Sequence, residues 1–324
     1  MSDTDDEIPA VARPKPDEAA FDLEAALASV VGLRIEVAPD AYTAETLGTE
    51  RRGNGVVIGE KGLVLTVGYL VIEAEQVWIS TSRNTAAQGH ILAYDQATGF
   101  GLVQALGRLG VPALPVGSSR GLKEGSPVVV AGSRGLKTAL SARLVDRRPF
   151  AGYWEYYIED ALFTAPAHPH WGGAAVISAE GRLVGIGSLL VQEASQGQQS
   201  MVGNMAVPID LLGTVIDELL RSGRSKAADR PWLGLYATDV RDAVVVTGTA
   251  PRGPAAEAGL AEGDIVLRVD GHQIEDLADL WQRLWAAGPP GVEVTLMIAR
   301  DGQPHEVTLR TADRHAFLKQ PRLH

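Results

Sequence analysis

Several ordinary features of proteins are missing from this chain of 324 residues, and each absence excludes a class of structure or function. It has no cysteine, which excludes disulfides and zinc sites built on thiolates. Basic residues number 29 against 40 acidic ones, and a formal net charge of −11 argues against nucleic-acid binding. No run of 18 or more apolar residues exists, so we expect no membrane span.

The first twenty residues also lack the features of a secretory leader, because no basic segment runs into an apolar stretch. A cytoplasmic location is therefore the expectation. Residues 1–20 are acidic and rich in proline, with little to bury, which predicts a disordered acidic tail.

What the chain does have is many short apolar runs separated by turn residues, with 36 glycines and 18 prolines. Helix-spaced apolar residues predict one short helix over Phe21–Val31, and a second helix is predicted over Ile209–Leu220. Between them we predict a series of strands, including a hairpin turning at Gly59–Gly62 and a strand over Trp154–Ile158. Regularly spaced short strands favour a mainly β sandwich or pair of barrels over residues 21–220.

A polar segment of small residues, 221–229, has the composition of a linker. After it, residues 230–314 predict a compact α+β unit of five strands and two helices, the longer helix at Leu277–Trp285. Residues 315–324 are predicted to be a loose tail.

The motifs of this second unit resemble those of a PDZ domain of the kind attached to bacterial proteases. They are, in order, Pro231-Trp-Leu-Gly-Leu235, Gly253-Pro-Ala-Ala-Glu-Ala-Gly-Leu260, Gly263-Asp-Ile-Val266 and Val269-Asp-Gly271. The resemblance implies that a peptide adds as a strand beside the Leu-Gly-Leu edge. Backbone amides around Trp232, Leu233, Gly234 and Leu235 would take the peptide's terminal carboxylate. Leu280 and Leu284 either face its last side chain or belong to the core.

The first unit resembles the trypsin-like domain of the HtrA (DegP-type) proteases, which carry a PDZ domain in the same order. The motifs that carry this resemblance are Gly53-Asn-Gly-Val-Val-Ile58, Gly62-Leu-Val-Leu-Thr66, Asp95-Gln-Ala-Thr98, Gly181-Arg-Leu-Val-Gly-Ile186 and Asn204-Met-Ala-Val-Pro-Ile209. The resemblance implies a double β-barrel and a serine-protease triad.

At each triad position this sequence departs from the family. The family's histidine comes four residues after a Leu-Thr start, where this chain has Tyr69. Its aspartate follows the Asp-x-x-Thr turn, where Gly99 stands. Its serine lies in a loop that here reads His168-Pro-His-Trp-Gly-Gly-Ala-Ala175, with Gly172 at the serine's place. Glycine has no nucleophilic oxygen, and a tyrosine with a pKa near 10 is not a base at neutral pH.

Two alternatives to a lost active site stay open. His170 could serve a rearranged hydrolytic site with a nearby hydroxyl, from Thr164, Ser178 or Ser188. His168 and His170 share a face if extended and could hold a metal, although further ligands cannot be named and polar loop packing is the simpler interpretation. No cofactor is expected.

The aromatic segment from Phe150 to Tyr157 either packs in a core or, together with Trp171, turns the former substrate cleft into a binding surface.

The sequence therefore predicts a proteolytically inactive HtrA-like pseudoprotease. It would act as a scaffold or adaptor that binds protein or peptide C-terminal tails, with a homo-oligomer possible. The alternatives are a serine-type endopeptidase with a rearranged site and a metal-holding assembly protein.

Overall fold

The computed structural model describes residues 7–195 and 201–319, whose contacts divide the chain into two units. The first unit consists of residues 7–148, 160–195 and 201–225, together with Lys319. The second consists of Pro149–Glu159 and Lys226–Leu318. Among the described residues, no helix combines the length and apolarity needed to cross a membrane.

The amino-terminal half of the first unit is a closed six-stranded barrel with the strand order β1-β2-β3-β6-β5-β4. Branched and aromatic apolar residues alternate along these strands and fill its interior. Its strands are β1 Val30–Val37, β2 Glu50–Val57, β3 Leu63–Val67, β4 Ala74–Ser80, β5 Ala86–Tyr94 and β6 Phe100–Ala105, and its helices are α1 Leu23–Ala28, α2 Ala44–Leu47 and α3 Gly68–Val71.

A second closed six-stranded barrel follows, with the order β10-β11-β12-β9-β8-β7. The loop between β9 and β10 carries Gly172, and a helix closes the unit. The elements are β7 Pro127–Ala131, β8 Ala139–Gly152, β9 Tyr156–Ala165, β10 Ala175–Ser178, β11 Leu183–Val191, β12 Gly203–Pro208 and α4 Asp210–Ser222.

The second unit is built on a six-stranded antiparallel sheet in the order β13-β14-β15-β17-β18, with β16 paired to β15. A buried cluster that includes Trp281 fills the space between this sheet and the longer helix. The elements are β13 Leu235–Val240, β14 Ala243–Thr249, α5 Pro254–Glu257, β15 Ile265–Val269, β16 His272–Gln273, α6 Leu277–Ala286, β17 Glu293–Arg300 and β18 Gln303–Arg310.

This architecture confirms the mainly β class, with two barrels followed by an α+β unit. Some boundaries differ. The predicted helix over Phe21–Val31 ends at Ala28, because Val30 and Val31 open β1 and pair with Val56 and Gly55. The predicted strand at Trp154 begins at Tyr156, since the turn of the β8–β9 hairpin lies before it.

Both predicted terminal tails contain ordered residues. Residues 7–20 form 3₁₀ turns at Ala10–Ala12 and Pro16–Glu18, and the buried Ile8 donates its amide to the carbonyl of Lys137 at 2.9 Å. At the other end, a 3₁₀ turn over Arg314–Phe317 brings the Phe317 ring to 4.9 Å from that of Trp232. The buried Ile8 and the half-buried Phe317 supply the apolar contacts that composition alone did not reveal. Residues 1–6 and 320–324 of the predicted tails lie outside the described residues.

The contiguous domain boundaries expected from the sequence also differ from the two units in one place. Pro149–Glu159, the tip of the β8–β9 hairpin, belongs to the second unit although it lies within the predicted 21–220 domain.

Candidate functional site

The Tyr69 side chain lies at the position that aligns with the catalytic histidine of the HtrA-type proteases. Tyr69 follows β3 on the single turn of α3, and its phenol donates a hydrogen bond to the carbonyl of Ser188 at 2.9 Å. Burial raises the pKa of this phenol above its usual value near 10, partly opposed by a side-chain hydrogen bond with Trp171. A neutral phenol that already donates its proton cannot act as a general base at neutral pH.

Buried Arg51 fixes the backbone of the turn that carries Tyr69. Its guanidinium donates to the carbonyls of Tyr69 and Ile72, both at 2.9 Å, and to the hydroxyl of Thr43. Desolvation lowers the pKa of Arg51 to about 10, and the negative charge of Glu73 opposes this shift. The guanidinium therefore stays charged at neutral pH and satisfies these carbonyls in a buried position.

Gly172 and Tyr69 lie against one another. A Cβ built on Gly172 would lie 2.8 Å from the phenol oxygen of Tyr69. Carbon and oxygen atoms do not approach so closely without displacement, so the phenol occupies the space in which a longer side chain at position 172 would begin.

Gly99 lies next to the turn of α3, because its carbonyl accepts the Gly68 amide at 2.7 Å. Its φ of 79° is in the left-handed region that favours glycine. The neighbouring carboxylate of Asp95 accepts the amide and hydroxyl of Thr98 at 2.9 and 2.5 Å, and the hydroxyl of Ser225 at 2.5 Å. Asp95 is thus a buried structural residue with its oxygens bonded within the turn and to Ser225.

Asn54 on β2 holds the loop that carries Gly172. Its side-chain amide donates to the carbonyls of His170 at 2.9 Å and Gly172 at 3.2 Å, and its own backbone amide donates to Gly172 at 2.8 Å. Gly173 packs so tightly here that an added Cβ would lie 1.8 Å from the Asn54 carbonyl. The motif around Asn54 was recognised in the sequence, but this bridging role was not.

The amide two residues before the nucleophile position is also engaged. In trypsin-type catalysis, that amide and the nucleophile's own amide stabilise the developing oxyanion. The equivalent amide here is that of His170, and it donates to Nδ1 of His168 at 3.0 Å. In this conformation it points to the imidazole rather than to a substrate carbonyl.

His168 is fully buried, and hydrogen bonds occupy both of its ring nitrogens. Nδ1 accepts from His170, so Nε2 carries the proton and donates to the carbonyl of Thr138 at 3.0 Å. Burial lowers the pKa of His168, which favours this neutral form. Across the described residues, no cluster of three or more histidine, aspartate and glutamate side chains is arranged to hold a metal ion. In this conformation the His168 ring bonds to the backbone of its own loop and of Thr138.

The hydroxyls considered for a rearranged site are inaccessible in this structure. Thr164, Ser178 and Ser188 are all buried. The Ser178 hydroxyl accepts the Glu180 amide at 3.3 Å, which assigns it to a turn between β10 and β11.

The predicted carboxylate-binding segment of the second unit does receive a carboxylate, from the chain's own Glu155. The Leu233 amide donates to Oε1 and Oε2 of Glu155 at 3.1 and 3.2 Å, and the Leu235 amide donates to Oε1 at 2.9 Å. Burial raises the pKa of Glu155 to about 7, while the amides of Leu235, Leu233 and Gly234 and the charge of Arg314 oppose that rise. No sequence signal marked Glu155, because its partners lie about 80 residues away.

Trp232 does not share this role, which corrects its inclusion among the carboxylate-binding amides. Its amide donates to the carbonyl of Ala312 at 3.0 Å, since Trp232 and Ala312 form an antiparallel bridge. Leu280 and Leu284 are fully buried in the core of the unit. The α6 residue that reaches the hairpin tip is instead Trp281, whose indole donates to the carbonyl of Gly152 at 2.9 Å.

The aromatic segment packs mostly on itself within the second unit. The Trp154 and Tyr156 rings stack at 5.5 Å, and Tyr153 contacts the Tyr236 ring edge-on at 5.9 Å. Trp171, which one of the two interpretations of this segment placed with it in a binding surface, belongs to the first unit.

Comparison with known proteins defines the class of this chain. Residues 53–186 match the model of the trypsin-like peptidase domain, and residues 231–311 match that of the PDZ domain. The chain thus consists of a trypsin-like peptidase domain followed by a PDZ domain.

The chain is homologous to the HtrA/DegP proteases, as its motifs indicated. It is 26% identical over 279 residues to the probable periplasmic serine endoprotease DegP-like of Halomonas elongata, covering 82% of this chain and 57% of the relative. It is 21% identical to serine endoprotease DegS of Escherichia coli, covering 77% and 73% of the two chains. The chain spans little more than half the length of the DegP-like relatives.

Solved structures share the fold. The HtrA-type protease AlgW with tripeptide superposes with a TM-score of 0.52 at 20% identity, covering 93% of this chain and 97% of that one. The serine endoprotease from Yersinia pestis gives a TM-score of 0.52 at 21% identity, covering 91% and 99%.

Proposed function

We propose that this HtrA/DegP homologue is proteolytically inactive and acts as a scaffold or adaptor that binds protein or peptide C-terminal tails through its PDZ domain. The observation that carries the inactive part is the contact between Tyr69 and Gly172. The phenol oxygen lies 2.8 Å from the place where a side chain at position 172 would begin. It therefore occupies the space in which a nucleophile would have to stand.

The remaining catalytic parts support the same proposal. A trypsin-type site needs a base to remove the nucleophile's proton and an acid residue to orient that base. At the base position the Tyr69 phenol donates a hydrogen bond to the carbonyl of Ser188. At the orienting position Gly99 has no side chain. The His170 amide donates to His168 instead of facing a substrate carbonyl.

The binding part rests on the carboxylate site of the second unit. The amides of Leu233 and Leu235 converge on one carboxylate, and β13 offers backbone groups beside them for strand addition. AlgW, whose fold this chain shares, has been solved with a tripeptide and with a decapeptide. A peptide is accordingly the class of partner that we propose for this unit.

Two assays of the full chain test the loss of proteolysis. The purified protein is incubated with unfolded casein and with a fluorophosphonate probe, beside an active trypsin-type protease as positive control. Neither cleavage nor labelling is expected. Cleavage that survives repeated purification and disappears in Ser178→Ala or Ser188→Ala would establish a rearranged active site and overturn the proposal.

The cytoplasmic location and the homo-oligomer stay predictions from the sequence. Sedimentation velocity of the full chain measures the oligomeric state directly.

A further inference from the structure

The groove between β13 and α6 contains the tip of the chain's own β8–β9 hairpin. Three groups of the tip accept hydrogen bonds from this groove: the carbonyls of Gly152 and Tyr153 and the carboxylate of Glu155. The Gly152 carbonyl accepts the Trp281 indole at 2.9 Å, and the Tyr153 carbonyl accepts the Ala237 amide at 3.0 Å. The Glu155 carboxylate accepts hydrogen bonds from the amides of Leu233 and Leu235.

This series has the form of a bound peptide end. One backbone carbonyl pairs with the strand at Ala237, and a carboxylate two residues further along meets the amides of Leu233 and Leu235 at the start of that strand. Strand pairing combined with carboxylate capture by backbone amides is how an extended peptide end binds to such an edge. The Tyr153 ring adds an edge-on contact to Tyr236 at 5.9 Å.

Glu155 is a buried part of the folded unit, and its contact with the groove does not lie at the surface. The residue is 4% exposed, and its backbone φ of 59° lies in the left-handed region that disfavours residues other than glycine. Such a conformation persists where surrounding contacts hold it, and here three hydrogen bonds to the carboxylate do so. Ala151, the residue before Gly152, packs against the core of the same unit.

We propose that residues 152–155 are an internal ligand of the PDZ groove, so that an external C-terminal tail binds only by displacing Glu155. This regulation rests on the proposed peptide-binding function. Two carboxylates cannot share the amides of Leu233 and Leu235, because each amide has one proton to donate. The affinity for an external tail is therefore lowered by the fraction of molecules in which the hairpin tip is docked.

The probe for this competition is a fluorescein-labelled peptide, Pro-Phe-Ala-Gly-Tyr-Trp-Leu, with a free C-terminal carboxylate. It repeats residues 149–154 and places a terminal carboxylate at the Glu155 register. Binding to the full chain is measured by fluorescence anisotropy, and the same peptide with an amidated end is the ligand control. Glu155→Ala removes the carboxylate and the three hydrogen bonds that it accepts. Glu159→Ala removes a carboxylate from an exposed position of the same tip.

We expect Glu155→Ala to bind the peptide at least about tenfold more tightly than the wild type, whereas Glu159→Ala matches the wild type. Hydrogen exchange gives a second measurement that needs no peptide. The amides of Leu233, Leu235 and Ala237 should be protected in the wild type and exchange faster in Glu155→Ala.

The outcomes separate the two proposals. Equal affinities of the wild type and Glu155→Ala, with both binding tightly, would overturn the internal ligand and leave peptide binding standing. If no variant binds the peptide, peptide-tail recognition by this groove is contradicted and the exchange measurement decides the docking of the tip. Protection unchanged in Glu155→Ala then overturns that docking.

Discussion

Replacing Gly172 by alanine tests whether the Tyr69 phenol fills the nucleophile's space. The added Cβ would meet the phenol oxygen at 2.8 Å, inside van der Waals contact. Both groups are held, because the phenol bonds to Ser188 and the loop bonds to Asn54. Inserting a carbon into such a packed site costs about 1–3 kcal/mol of unfolding free energy.

The matched variant Tyr69→Phe identifies the cause. Alone, it loses the hydrogen bond to Ser188, at a cost of about 1 kcal/mol. In the Gly172→Ala background it also removes the clashing oxygen, so the double variant should be more stable than the sum of the single effects by about 1–2 kcal/mol.

Urea unfolding followed by circular dichroism, with calorimetry to resolve the units, measures these energies. A loss of about 2 kcal/mol lowers the midpoint of a unit of this size by about 4–8 °C. Gly213→Ala on α4 is the control, because its Cβ meets no described atom within 4 Å, and it should stabilise the first unit by about 1 kcal/mol. Gly172→Ala unfolding like the wild type, or Tyr69→Phe adding its full cost to it, would refute the packing argument.

Three further predictions follow from the described contacts. Docking raises the pKa of Glu155 from 4.5 to about 7, so the docked tip gains roughly 3 kcal/mol below pH 4.5 that is lost as the pH rises through 7. The affinity of the wild type for the labelled peptide should therefore rise between pH 5 and 8, whereas that of Glu155→Gln should not change with pH. Anisotropy titrations at each pH would contradict this if the two proteins respond alike. Asp95→Ala should lower the free energy of unfolding by about 2–4 kcal/mol in urea, since it leaves the donors of Thr98 and Ser225 buried and unpaired. Asp95→Asn should lower it less. Equal stability of all three proteins would show that these bonds contribute nothing. Zinc chloride should produce no binding heat in calorimetry, because both ring nitrogens of His168 are bonded, and saturable heat abolished by His168→Ala would reverse that assignment.

Strand register brings together the positions that align with the family's histidine and aspartate. Once β3 and β6 are aligned, Tyr69 and Gly99 come to one end of the first barrel through the Gly68–Gly99 hydrogen bond. The sequence could not predict how closely the Tyr69 phenol approaches Gly172. That distance depends on how the two barrels pack, and the two residues are more than 100 positions apart in the sequence.

The role of Glu155 escaped sequence analysis for a related reason. The segment reads as a strand of alternating aromatics, and an isolated glutamate near a turn is ordinary in such a place. Its partners are set by long-range folding of residues 233–237 against the tip. Likewise, Val30 and Val31 continued the helical spacing of α1, but pairing with β2 decided their conformation.

The position of the Tyr69 phenol also constrains the order in which substitutions could restore a nucleophile. A serine placed at 172 first would meet the phenol and destabilise the loop before gaining any chemistry. A smaller side chain at 69 first leaves Gly172 unhindered and opens the space that a serine would need. The two positions are therefore epistatic, because the contact between them hinders any side chain at 172 until a smaller residue replaces Tyr69.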